Sequence, residues 1–108
     1  MLRGWLAIVA VLLGIHFSFA ADIGLSLQKD RRWEEARKYL ADGKPGEAKA
    51  LFEELLKQYP TEADLHLFLG ITQLRLRNPE AAVSAIKRAL DENPNHVDAR
   101  TLLAWIEL

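Results

Sequence analysis

The chain has 108 residues, half of them apolar and 27% charged, so its length and composition fit one small globular domain. Its formal net charge of -1 offers no basic surface for nucleic-acid phosphates, and no nucleic-acid partner is expected. The sequence contains no cysteine, which excludes disulfides, thiolate nucleophiles, covalent haem attachment and the lipidated cysteine of a bacterial lipoprotein.

The N-terminus has the layout of a secretory signal peptide. Arg3 precedes an apolar run at residues 5–15, and the small residues Ser18 and Ala20 stand where a signal peptidase cuts. We therefore predict a signal peptide at residues 1–20 and export to the bacterial periplasm. The alternative is an uncleaved anchor in the inner membrane, with the rest of the chain facing the periplasm, although the run is shorter than the ~20 residues that span a bilayer.

The first predicted helix begins near the end of an N-terminal lead-in at residues 21–28. It runs from about Ser26, which is placed to cap it, to Asp42, where glycine and proline in residues 43–46 end it. Its apolar residues are spaced for one buried stripe: Trp33, Ala36, Tyr39 and Leu40.

The second predicted helix begins at Pro45, because proline is tolerated in a first turn where its missing N–H has no partner. It runs to about Tyr59 and is amphipathic. Its apolar side chains fall on one face: Ala48, Leu51, Phe52, Leu55 and Leu56.

The third predicted helix opens at Thr61, with Asp64 three residues on as an approximate capping box, and continues to about Arg77. It is apolar nearly all round, which is typical of a helix covered on more than one side.

Two further helices are predicted after it. Asn78 is placed to cap the fourth, which ends before Pro94. Asn95 is placed to cap the fifth, at residues 97–108.

A 34-residue period underlies these elements. Residues 29–62 align with 63–96, and 97–108 begin a third, shorter unit. About two identities are expected by chance in 34 aligned pairs, whereas this alignment gives six. The identical pairs are Asp30 and Asp64, Leu40 and Leu74, Pro45 and Pro79, Ala48 and Ala82, Leu56 and Leu90, and Pro60 and Pro94.

These residues resemble the tetratricopeptide repeat, whose 34-residue unit is a helix–turn–helix. The first unit carries Ala36, Tyr39, Ala48, Phe52 and Pro60, and the second carries Leu69-Gly70, Ala82, Ile86 in place of Phe, and Pro94. Departures from the family pattern are Arg32 and His66 for an aromatic residue, Glu35 for Leu and Gln73 for Tyr. The resemblance covers residues 29–108 and implies an all-α, right-handed solenoid of helical hairpins, about two and a half repeats long.

Small residues recur where two helices of a hairpin would approach each other. They lie on the first helix of each unit and on the second helix of the two complete units, at Ala36, Gly70, Ala104, Ala48 and Ala82. Close packing of the paired helices is therefore predicted.

The resemblance also implies a binding groove lined by the first helices of successive units. Its residues here are Trp33, Arg37, Leu67, Ile71, Thr101 and Trp105. Such a surface suits an amphipathic helix or an extended peptide with apolar anchors. The alternative interpretation is that Leu67, Ile71 and Trp105 only pack against neighbouring helices.

No arrangement of residues indicates catalysis, a cofactor or a metal site. His66 and His96 have no partner at metal-ligand spacing. The adjacent acidic pairs at 34–35 and 53–54 point in different directions on a helix. A non-enzymatic protein is therefore expected.

We thus predict an exported scaffold that binds a peptide or a partner protein in an apolar groove. One alternative is a self-associating module, a homo-oligomer formed through the apolar C-terminal helix. Others are a membrane-tethered structural module, if the leader is not cleaved, and the N-terminal part of a longer periplasmic assembly or export protein.

Overall fold

The computed structural model describes residues 26–108, a range that is helical and contains no strand. A 3-10 turn at Leu27–Lys29 leads into five helices: α1 (Arg31–Ala41), α2 (Pro45–Gln58), α3 (Ala63–Arg75), α4 (Pro79–Glu92) and α5 (Val97–Glu107). The all-α prediction is confirmed. The predicted signal peptide and most of the lead-in lie outside the described residues.

Consecutive helices pack on each other along the chain, from α1 on α2 to α4 on α5. Helices α1 and α2 fall within residues 29–62, α3 and α4 within 63–96, and α5 within 97–108. This is the arrangement of stacked helical hairpins. The residues at which one unit gives way to the next stay a prediction.

Helix α1 begins five residues later than predicted, at Arg31 rather than Ser26. The Ser26 side chain makes no capping bond, whereas the Asp30 carboxylate accepts a hydrogen bond from the Arg32 amide at 3.0 Å. Asp30 therefore caps the helix, because its carboxylate accepts from an otherwise unpaired N–H of the first turn.

The cap residues of α3 and α5 also differ from prediction, whereas that of α4 is the predicted one but makes no capping bond with its side chain. Glu62, not Thr61, is the N-cap of α3, and Asn78 is the N-cap of α4 but sends its side chain to Gln73. His96, not Asn95, caps α5, as its Nδ1 accepts from the Ala99 amide at 3.2 Å. The His96 Nε2 lies 2.6 Å from Asp64 Oδ1, so the same ring joins α5 to the start of α3.

An aromatic cluster forms the centre of the first hairpin and its contact with the second. The Trp33 ring meets Phe52 edge-on at 5.9 Å and Phe68 at 5.0 Å between centroids. Edge-to-face pairs at these distances are favourable beyond the area they bury. A second apolar cluster, built on Leu67, Ile86 and Ala99, joins α3, α4 and α5.

A polar network fixes the start of α1 against the end of α2. Asp30 pairs with the Arg32 guanidinium at 2.8 Å and accepts a hydrogen bond from the Tyr59 hydroxyl at 3.1 Å. These donors, the Arg32 guanidinium above all, lower the pKa of Asp30 from 3.8 to about 2. Burial, reinforced by the Asp30 carboxylate, raises the pKa of Tyr59.

The lowered pKa of Asp30 predicts a pH-dependent contribution to stability. Because the ionised carboxylate is favoured in the folded state, its contribution is complete above about pH 5 and is lost as the pH falls from about 4 to 2. Asp30→Asn keeps a capping oxygen but removes the charge. We expect the variant to be less stable than the parent by on the order of 2 kcal/mol at pH 7 and to match it near pH 2.

Urea unfolding of both proteins between pH 2 and 7 measures this difference in the free energy of unfolding. A difference that stays constant across that range would show that the ion pair does not set the pKa of Asp30.

Candidate partner-binding groove

Helices α1, α3 and α5 line two adjoining hollows on one side of the molecule. The hollow between α1 and α3 has a volume of 890 Å³, and the one between α3 and α5 has a volume of 460 Å³. Phe68 and Ile71 line both hollows. We call this continuous surface the α1–α3–α5 groove.

The α3–α5 half of the groove is apolar. Its polar side chains are Asp98 and Thr101, and the others are Leu67, Phe68, Ile71, Leu102 and Trp105. Trp105 has 76% of its surface exposed. A large aromatic ring left in water beside an apolar hollow is the arrangement that binding sites for apolar side chains use.

The α1–α3 half is bordered by charge. Four cations and two carboxylates surround its apolar part: Arg31, Arg37, Lys38, Arg75, Glu34 and Glu35. The Arg75 guanidinium is held by a hydrogen bond of 3.2 Å to the Leu40 carbonyl. The groove is therefore apolar at one end and mainly cationic at the other.

Arg37 is fixed by aromatic rings. Its guanidinium carbon lies 5.5 Å from the centroid of Trp33 and 6.0 Å from that of Phe68, and Glu34 Oε1 lies 3.8 Å from its Nη1. Cation–π contacts of this kind orient the group without neutralising it. Arg37 thus presents a positioned positive charge at the wall of the groove.

The structure places five of the six predicted residues along the α1–α3–α5 groove. Leu67, Ile71, Thr101 and Trp105 line the α3–α5 hollow, and Arg37 and Ile71 line the α1–α3 hollow. Trp33 lines neither hollow and is only 4% exposed, because Phe68 and Arg37 lie over it. Trp33 is therefore a core residue, and its predicted position on the groove surface is wrong.

In the α3–α5 hollow, the lining residues that were not predicted are Phe68, Leu102 and Asp98. Phe68 and Leu102 are 34 residues apart and each follows a predicted groove residue, so the period itself carried the signal. Asp98 lies three and seven residues before Thr101 and Trp105, on the same side of α5.

The charged groups of the described chain form no metal-binding cluster: residues 26–108 hold no group of three acidic or histidine side chains placed to share an ion. The resolved pKa shifts belong to Asp30, Arg32 and Tyr59, which lie outside both hollows. Over the same range, every helix is too short or too polar to span a bilayer.

The chain is similar in sequence to known helical-repeat proteins. The profile of the family described as tetratricopeptide repeat matches residues 39–106. The chain is 36% identical over 72 residues to the PEX5-related protein of Mus musculus, which covers 67% of this chain and 13% of that protein. It is 40% identical over 68 residues to the TPR repeat-containing protein YsoA of Bacillus subtilis, which covers 63% of this chain and 20% of that protein.

The chain thus spans a fifth or less of the length of these curated relatives. No solved structure matches it.

Proposed function

The chain belongs to the tetratricopeptide repeat family, and we propose that it is an exported, non-enzymatic scaffold that binds a peptide or a segment of a partner protein in the α1–α3–α5 groove. Proteins of this family are generally interaction modules without catalysis of their own. The repeat and its relatives support a role in protein–protein interaction, and the groove supplies the proposed site.

The observation that carries the proposal is the apolar α3–α5 hollow beneath the exposed ring of Trp105. An apolar side chain entering between Leu67 and Trp105 would remove both its own surface and the ring from water, which is favourable by about 25 cal/mol per Å² of apolar surface buried. Backbone and polar atoms of the same peptide would lie toward Thr101 and Asp98.

The cationic α1–α3 end adds a preference for charge. A peptide with a carboxylate on one side of its apolar anchor would meet Arg37, Lys38 or Arg75 at the adjoining hollow. Because these cations surround an open surface, their contribution is to orientation and association rate more than to affinity.

Export rests on the residues of the leader. The basic start, the apolar run and the small residues before Ala21 are the features that a signal peptidase recognises. If the leader is retained instead, the same groove would face the periplasm from a membrane-tethered chain.

A peptide selection tests the groove. We expect random twelve-residue peptides displayed on phage, selected on the immobilised protein, to yield sequences with a large apolar anchor, and binding of the synthetic peptide to shift Trp105 emission to the blue. Ile71→Ala removes apolar contacts from both hollows and should raise the Kd of that peptide about tenfold.

Leu90→Ala is the matched control, because Leu90 is also half-buried against the second apolar cluster but lies outside both hollows. Its Kd should stay within about twofold of the parent value. Equal weakening by both substitutions would mean that the peptide does not occupy the groove.

A further inference from the structure

The large apolar side chains that the structure of residues 26–108 leaves exposed lie on α5 or directly after it. Val97 is 71% exposed, Trp105 76%, and Leu108, directly after the helix, is fully exposed. Exposed residues of this size on one short helix mark a surface for another protein.

These side chains form one continuous stripe. Val97, Thr101, Ala104 and Leu108 follow each other at intervals of four, three and four residues, and Trp105 lies beside them. All five are exposed. The opposite side of α5 packs on the rest of the molecule through Ala99, Leu102, Leu103 and Ile106. We call the five exposed residues the α5 stripe.

The preceding repeat shows what these positions do when they are covered. The positions 34 residues earlier on α3 are Ala63, Leu67, Gly70, Ile71 and Leu74, and none of them is exposed. Leu67 and Gly70 are buried by neighbouring helices. The α5 stripe is therefore the continuation of an established packing surface.

We propose that the α5 stripe binds the α5 stripe of a second copy of this chain, with the two helices antiparallel. In that register Val97 lies opposite Leu108 and Thr101 lies opposite Ala104, so the small residues at the centre let the helices approach closely. This inference does not rest on the proposed peptide binding, although Thr101 and Trp105 belong to both surfaces.

Charge complementarity selects the orientation. Arg100 and Glu107 lie on the same flank of the stripe, both are exposed, and neither forms an ion pair within the described part of the chain. In the antiparallel pair Arg100 of each copy lies opposite Glu107 of the other, so the two-fold symmetry gives two attractive pairs. A parallel pair would place Arg100 beside Trp105 instead.

The other flank borders the groove. In the antiparallel pair, Asp98 of each copy lies opposite Trp105 of the other copy. Both residues also line the α3–α5 hollow. The second copy therefore adds an aromatic wall to the groove of the first. Because one three-turn helix per copy supplies the contact, the interface is small, and a dimer with a Kd in the micromolar range is expected.

Charge-reversal variants of the purified intact chain test this pairing. Their association is measured by sedimentation velocity at about 5 to 500 µM, the range in which so small an interface should associate. The parent should convert from monomer to dimer. Arg100→Glu and Glu107→Arg should each remain monomeric, because each places like charges opposite each other. An equimolar mixture of the two variants should dimerise again, since each glutamate of one variant then faces an arginine of the other.

Lys57→Glu on α2 is the control, as it changes the net charge as Arg100→Glu does but is exposed on another helix. It should dimerise like the parent. The proposal is overturned if the parent stays monomeric, if either single variant dimerises like the parent, or if the mixture of folded variants stays monomeric. Circular dichroism of each variant confirms that it is folded.

Discussion

Replacing Gly70 with leucine is expected to lower the free energy of unfolding by about 3 kcal/mol. A Cβ atom at position 70 would lie 2.7 Å from Ile86 Cγ1 and 3.3 Å from the Ala82 carbonyl oxygen. The first distance is too short for two carbon atoms and the second involves backbone, so α3 and α4 must move apart. For a domain of this size the loss corresponds to about 10–20 °C in Tm, measurable by circular dichroism.

Gly46→Leu provides the matched control. Gly46 lies in the first turn of α2, and a Cβ atom there would meet no atom within 4 Å. Since glycine is a poor helix former, this variant should be as stable as the parent or slightly more stable. If Gly70→Leu unfolded at the same temperature as Gly46→Leu, α3 and α4 would not be packed as the structure has them.

The course of the helices was predictable because the sequence repeats its own geometry. Gly43 and Arg77, 34 residues apart, both adopt the left-handed backbone conformation just after α1 and α3, with φ of 75° and 62°. Glycine predicts such a conformation by itself, whereas arginine does not. The third helix was predicted to continue to about Arg77, but it ends at Arg75, and only the period carries a signal for the turn at Arg77.

The starts of the helices were less predictable, because several polar residues compete for each cap. Ser26 and Asp30 are both good capping residues, and only the contacts of Asp30 with Arg32 and Tyr59 decide between them. These contacts bring together residues up to 29 positions apart. Likewise, the pairing of His96 with Asp64 across 32 residues favours His96 over Asn95.

The sequence predicted which helix faces line the groove, but not which side chains on those faces are exposed. A period states which residues share a face, yet the next repeat decides whether they reach the surface. Trp33 and Leu67 occupy equivalent positions and are both buried, whereas Thr101, at the same position on α5, is exposed. Helix packing therefore buries Trp33 and Leu67, and it leaves Thr101 exposed at the edge of the α3–α5 hollow.

The corrected position of Trp33 leads to the largest expected effect. Trp33→Ala removes a ring that contacts Phe52 and Phe68 and supports Arg37, and should cost about 3–5 kcal/mol of stability. A loss of that size is a large part of the total free energy of unfolding of a small domain, so the variant should be partly unfolded at 37 °C. Urea unfolding, followed by circular dichroism at low temperature, measures the loss.

Trp105→Ala makes the same chemical change at an exposed position and isolates the role of burial. At concentrations too low for self-association, its free energy of unfolding should stay within about 0.5 kcal/mol of the parent value. In peptide binding the order should be reversed: Trp105→Ala should raise the Kd of the peptide more than Trp33→Ala, since Trp105 lines the α3–α5 hollow and Trp33 does not. If Trp33→Ala proved as stable as Trp105→Ala, then Trp33 would belong to the groove surface after all, and Phe68 would not be its cover.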